Sequence, residues 1–283
     1  MQQQPYDTIA INYDEMMRRS PYYRNVRTLE KRTLIDLLKV RDFKNMLDIG
    51  GGTGFASIIG AQNGLSVCTV DPSAEMLRIA KSTLESYPVE KTFIKAKAED
   101  LPDLGKTFDL VVAFGSVINH SDDWGAFFQR LATHSRPGSR ILITFDNLLG
   151  VDSWSWGLFS ALRGYRPGVS DLIKRIKASI GRSDHVNEWL LMADNVSTGV
   201  HLRYGSWKQA ARILREKGFQ ITRCQGTNCF AALSRSILLS SQGTTEIRTM
   251  GTTTGGLLSS LDERLGQKLW RVCGNYVVEA IRS

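Results

Sequence analysis

The chain has 283 residues, of which 42% are hydrophobic and 23% charged, the balance of a soluble globular protein with length for a sizeable core. Its net charge of +8 admits anionic partners (nucleic acid, a membrane surface, an acidic substrate) without choosing among them. No stretch nears the roughly 18 continuous apolar residues of a membrane span, and no basic-then-apolar leader opens the chain. Cys68, Cys224, Cys229 and Cys273 match no common zinc spacing, so reduced thiols in a cytoplasmic protein are expected.

The first segment, "YDTIAINYDEMM" (6–17), puts Tyr6 and Tyr13 seven apart, near one face of a helix, and residues 1–44 read as an N-terminal helical cap. From 45 to 146 short apolar runs alternate with helical patterns. "NMLDIG" (45–50) precedes a helix near 55–63, and "SVCTVD" (66–71) precedes "SAEMLRIAKSTLES" (73–86). "KTFIKA" (91–96) and "DLVVAFG" (109–115) follow, then the helix "DWGAFFQRLATHS" (123–135) and the run "RILITFD" (140–146). Continuous apolar runs suit strands covered on both faces, and the rhythm predicts a doubly wound α/β fold on a mostly parallel sheet. The rhythm stops at 147–203, where no strand is expected and a helical insertion is read. It resumes with a helix at 206–219 and strands at 219–226 and 275–282, for seven strands in all. Between those strands, 240–256 reads as loop, and Leu258, Leu261, Leu265 and Leu269 mark a helical face.

The most informative stretch is "MLDIGGGTGF" (46–55). Gly50, Gly51, Gly52 and Gly54 follow a strand and open a helix, where backbone N–H groups point outward and a helix dipole backs them. The spacing is G-x-G-x-G, because Phe55 stands where a dinucleotide-binding loop has its third glycine. Asp71 ends the second strand, where an acid can accept hydrogen bonds from ribose hydroxyls. Glycine loop and strand-end acid together read as a nucleoside-cofactor site.

With "VDPSAEMLRIA", "AKAEDLP" (96–102), "FDLVVAFGSVINH" (108–120) and "RPGSRILIT" following in order, the sequence resembles the class I S-adenosylmethionine-dependent methyltransferases of small-molecule type, over about residues 6–146 and weakly at 204–226. The resemblance implies S-adenosyl-L-methionine as cofactor and a seven-stranded Rossmann-like sheet. It implies cofactor contacts at Tyr13, Asp48, the four glycines, Asp71, Pro72, Met76, Ala98, Glu99, Asp100, Phe114 and Gly115. Asp48 could instead brace the loop, and Met76 could be core. Lys97 departs from the family, because a lysine cannot accept from the adenine amine. His120, after the fourth strand, is the candidate base at an ordinary pKa near 6.5, or else a residue that orders its loop. Methyl transfer from a sulfonium needs chiefly in-line alignment, so no metal is expected.

The insertion is the segment expected to choose the acceptor, a small organic molecule of apolar, phenolic or lipid-like character. "WSWGLFSALRGY" aligns Trp154, Leu158, Leu162 and Tyr165, with Phe159 beside them, and "DLIKRIKASI" sets Arg175 and Lys177 among isoleucines. Asn119, Asn147, Trp154 and Phe159 are the candidate acceptor contacts. Residues 147–203 read as a substrate lid or as a plain cap with a solvated basic face, with peripheral membrane contact as a further reading. A nucleic-acid methyltransferase is disfavoured: "GSVINH" is not an Asn/Asp-Pro-Pro-aromatic run and no cysteine follows a proline. A nucleoside-binding protein without catalysis is the remaining alternative.

Overall fold

The computed structural model describes residues 5–162, 164, 166–181, 185–193, 196–230 and 252–283. Side chains of Pro21, Trp156, Phe159, Pro167, 181–201 and 252–259 lie outside that description. Two short 3-10 turns, Pro5–Thr8 and Ala10–Asn12, lead into α1 (Tyr13–Arg19) and α2 (Pro21–Val40). Tyr6 and Tyr13 therefore do not share a helix, although their rings meet edge-on at 6.2 Å.

The alternating region folds as β1 (Asn45–Ile49), α3 (Phe55–Gln62), β2 (Ser66–Asp71), α4 (Ala74–Leu84), β3 (Lys91–Lys95), β4 (Phe108–Ala113), α5 (Trp124–Thr133) and β5 (Ser135–Asp146). Helix starts follow from their caps. Ser73 accepts from the Met76 N–H at 3.1 Å and Asp123 from the Ala126 N–H at 3.0 Å, each satisfying a first-turn donor. After β5 come α6 (Val151–Leu162), α7 (Arg166–Gly181), β6 (His185–Ala193), β7 (Val196–Tyr204), α8 (Trp207–Glu216), β8 (Phe219–Thr227), α9 (Thr252–Leu269) and β9 (Asn275–Arg282). Helix α9 begins inside the stretch read as loop, whose remainder from 240 to 251 lies outside the described residues.

Seven strands form one sheet in the order β3-β2-β1-β4-β5-β9-β8. Parallel registers run from β3 to β5, for example Leu47 opposite Cys68 and Val111. Strand β9 is antiparallel to both β5 and β8. The sheet is covered on both sides, which is why its strands read as unbroken apolar runs. Leu47, Ile49 and Val111 pack with Phe127, Phe128 and Leu131 of α5 and Leu214 of α8. Met46, Leu110 and Val112 pack with Leu29 and Leu34 of α2 and Ile59 of α3. Chain order reverses between β1 and β4, and the crevice at their carboxyl ends is where open α/β sheets bind ligands.

The insertion differs from the sequence expectation. Strands β6 and β7 pair as an antiparallel hairpin apart from the main sheet, from Ala193 opposite Val196 to His185 opposite Tyr204. The sequence signal was slight: Asp194 and Asn195 are two turn-prone residues followed by the β-branched Val196, Thr198 and Val200. Arg175 also departs from the expected solvated face. It is 7% exposed, its Nε donates to Asp171 at 2.8 Å, and its guanidinium lies 4.1 Å from the Tyr204 ring centre. Burial and that aromatic platform explain why it behaves as a packing residue rather than a surface charge.

Candidate active site

The glycine loop lies between β1 and α3, against Asp71. Gly52 has φ +54°, and a Cβ built there would project into open space, so the missing side chain leaves room for a ligand. Its N–H donates to Asp71 Oδ2 at 2.9 Å, while Oδ1 accepts from the Ser73 N–H at 2.8 Å. Burial pushes the Asp71 carboxyl up to about 6, against these two hydrogen bonds, which favour the charged form. Each oxygen keeps acceptor capacity for a ribose hydroxyl. Gly51 is required for a different reason. A Cβ there would sit 2.5 Å from Thr69 Cγ2 and 3.0 Å from Asp48 Oδ2.

Asp48 lies under the loop with 1% exposure, and its Oδ2 accepts from both the N–H (3.0 Å) and hydroxyl (2.7 Å) of Ser57. Burial raises it to about 6. Its geometry is that of the loop brace, the second of the two sequence readings. Phe114 is buried within the cluster around α2 and α3, so its side chain belongs to the core rather than to a cofactor contact. Met76 is 2% exposed at the start of α4, beside Asp71 and Pro72 in the chain. Ala98 is buried and Asp100 exposed, while the Glu99 backbone carbonyl accepts from Arg130.

Two residues absent from the sequence reading stand at this crevice. Arg27 of α2 donates to Glu30 at 3.0 Å and to the Tyr13 hydroxyl at 3.4 Å, and lies 4.5 Å from the Phe55 ring centre. Glu30 accepts from the Gly115 N–H and from Thr144, both at 2.6 Å. An Arg–Glu pair spaced three apart on an amphipathic helix was the available signal. The first N-terminal turn and α1 close the same side: Asp7 accepts from Ser73 at 2.6 Å, and Asp14 from Thr53 at 2.7 Å.

Across the crevice, after β4, His120 is half-buried and its Nε2 meets the Tyr6 hydroxyl at 3.2 Å. Desolvation pushes its pKa down to about 4, below the 6.5 expected from the sequence, so the imidazole is neutral throughout the physiological range and a weaker proton acceptor. Asn119 and Asn147 are corrected too, because their amides are spent on backbone. Asn119 accepts from the Asp146 N–H (3.0 Å) and donates to the Arg203 carbonyl (3.0 Å). Asn147 donates to the carbonyls of Arg271 and Cys273. Trp154 is 50% exposed on the outer side of α6, so it is not a pocket wall, and the Phe159 side chain lies outside the described residues.

Asp146, at the carboxyl end of β5, is the group the sequence reading overlooked. Its Oδ1 accepts from Ser116 and from Asn275, each at 2.5 Å. Burial lifts it to about 6 against the Ser116 bond, and nearby Asp152 adds to the rise. Burial raises the Tyr6 hydroxyl well above its ordinary value, and Tyr13, Tyr23, Asp71 and Asp146 add to the rise. No group of three or more His, Cys, Asp or Glu among the described residues is arranged to hold a metal ion. All four cysteines are free thiols.

The comparisons agree with this geometry. Residues 46–138 match a family described as a methyltransferase domain. A ubiquinone/menaquinone biosynthesis C-methyltransferase of Hahella chejuensis is 32% identical over 146 residues, 49% of this chain and 56% of that protein. A ubiquinone biosynthesis O-methyltransferase of Rhizobium etli is 34% identical over 102 residues, 36% of this chain and 41% of that one. The matches thus span about half of those relatives or less. In fold, the chain is similar to an S-adenosylmethionine-dependent methyltransferase of Clostridium acetobutylicum, with a TM-score of 0.57, 12% identity and coverage of 99% and 100%. Strand order, a glycine loop facing a strand-end acid, and the family match over that same region make one case: residues 46–138 match a methyltransferase domain, and the chain has the fold of S-adenosylmethionine-dependent methyltransferases.

Proposed function

We propose that the protein moves a methyl group from S-adenosylmethionine to a small organic acceptor held at the carboxyl edge between β4, β5 and the insertion. The observation that carries this reading is the open space above Gly52, bordered by the Asp71 carboxylate. When bound, the cofactor supplies an electrophilic methyl on a sulfonium. In this reading Asp71 accepts from the ribose hydroxyls and the loop N–H groups lie against the methionine portion. Arg27, the half-buried cation beside Gly115, suits the amino-acid carboxylate. Ala98 and Glu99 offer backbone and side-chain partners to the adenine.

Asp146 replaces His120 as the proposed proton acceptor for an acceptor that must lose a proton. A carboxyl poised near 6 at the edge of the crevice can take that proton, whereas an imidazole near 4 takes it poorly. His120 and Tyr6 then order the loop and the N-terminal turn over the site. The relatives are named for C- and O-methylation in quinone biosynthesis, which favours a phenolic or quinol-like acceptor here. Four free thiols fit a reducing, cytoplasmic setting. Calorimetric titration tests the base of this reading: S-adenosylhomocysteine should bind and NAD should not. Binding of NAD alone would overturn it. A transfer screen over phenols, carboxylates and lipid-like quinols then identifies the acceptor.

A further inference from the structure

Among the described side chains of helix α6, the buried ones are Ser153 (8% exposed), Ser155 (7%) and Ser160 (2%), together with Gly157, where a Cβ would sit 2.3 Å from Leu172 of α7. The residues it shows to solvent are Trp154 (50%), Leu158 (59%) and Leu162 (74%), spaced four apart and so on one stripe. A helix that only packed on a sheet edge would turn that stripe inward. Helix α7 continues the surface. Ile173 and Ile180 are exposed beside the exposed Arg166, Lys174 and Lys177, all within one side of the helix. Of eight large hydrophobics exposed among the described residues, five fall on this helix pair; the other three, Ile11, Val40 and Val272, are scattered.

Charge selects the occupant. No exposed residue described on α6 or α7 is acidic, because Asp171 is partly buried against Arg175 and Asp152 is half-buried. A second copy of the chain, packed face to face, would bring the same three cations together. An anionic lipid surface takes the apolar stripe into the acyl boundary and meets the cations with phosphates. Among the described residues no helix is long and apolar enough to cross a membrane, so the contact would be peripheral. We propose that the outer face of the α6–α7 pair docks on an anionic bilayer. The proposal stands on this surface alone and does not depend on the methyl-transfer reading.

The test is co-sedimentation of the full chain with phosphatidylglycerol/phosphatidylcholine vesicles and with phosphatidylcholine vesicles. Binding is expected on the anionic vesicles, weakened by salt and by neutral lipid. Leu158→Ser/Leu162→Ser and Lys174→Gln/Lys177→Gln should each weaken it about tenfold or more, with unchanged circular dichroism. The lysines are exposed, so that pair decides the matter even if the serine variant fails to fold. No binding to anionic vesicles, or binding indifferent to the lysine pair, overturns the proposal. So does light scattering that shows a dimer which the serine variant dissolves, since the face would then belong to a second copy.

Discussion

Asp71 shows what a single carboxylate does in this fold. It already holds the Gly52 and Ser73 N–H groups, and so pre-shapes the loop proposed to receive the cofactor. Asp71→Asn should weaken S-adenosylhomocysteine binding by about 1–3 kcal/mol, because buried partners lose a charged acceptor. The pH dependence has a definite sign. With the carboxyl raised to about 6, wild-type affinity holds above that pH and declines below it as the acceptor is protonated. Calorimetry across pH 5–8 checks both points, and the variant should lack the acid decline contributed by this group. Asp48 makes the opposite case. Its folded pKa of about 6 lies above the usual carboxylate value, so the native state binds the extra proton between about 4 and 6. Its contribution to stability therefore falls as pH rises through that window and stays low at neutrality. Asp48→Asn keeps an oxygen for Ser57 and removes the buried charge, so it should raise the melting temperature at pH 7.5, with a gain of up to about 3 kcal/mol. That gain should vanish near pH 4. A lower melting temperature at neutral pH would mean that the loop needs the charge.

At the scale of elements, the helix pair α6–α7 depends on Gly157. Its missing side chain lets α7 bring Leu172 close, and the would-be Cβ contact of 2.3 Å leaves no room for growth. Gly157→Val should cost about 1–3 kcal/mol by overpacking. It should loosen the pair and leave cofactor affinity unchanged, read as a lower melting temperature with a normal calorimetric isotherm. Unchanged melting would show that the two helices do not rely on this contact. The same elements show where the sequence was readable. Strands β1 to β5 announce themselves because parallel, two-sided burial writes continuous apolar runs such as "DLVVAFG". The hairpin β6–β7 was missed because it pairs outside that sheet and leaves no such run. Trp154, Leu158 and Leu162 were placed on one stripe correctly, but which way the stripe faces depends on the serines and the glycine behind it.

For the whole molecule, glycine loop and Asp71 were legible because both are local to one strand–loop–helix junction. The rest of the site is assembled from distance. Asp146 is recruited by Ser116 and Asn275, Arg27 lies beside Gly115, and Tyr6 reaches His120 from 114 residues away. No local pattern writes such encounters, and the amides of Asn119 and Asn147 look like free ligands until the backbone they hold is seen. Burial at the crevice also reverses the expected order of the two titrating groups. The histidine drops to about 4 and the carboxyl rises to about 6, which moves the proposed proton acceptor from one strand end to the next.

Strand β9 lies between β5 and β8 and, among the described residues, joins them in the sheet. On a ribosome, β1 to β5 can begin pairing as soon as the five have emerged, because each has a neighbour within that group. Strand β8 cannot: the neighbour it will bond, from Phe219 opposite Arg282 to Thr227 opposite Asn275, is translated after it. Until then its backbone groups face solvent, and α8 has only part of its floor. Synthesis of this protein thus passes through a stage in which five strands are set and one waits. In that interval the bare edge is open to chaperones, or to the edge of another nascent chain.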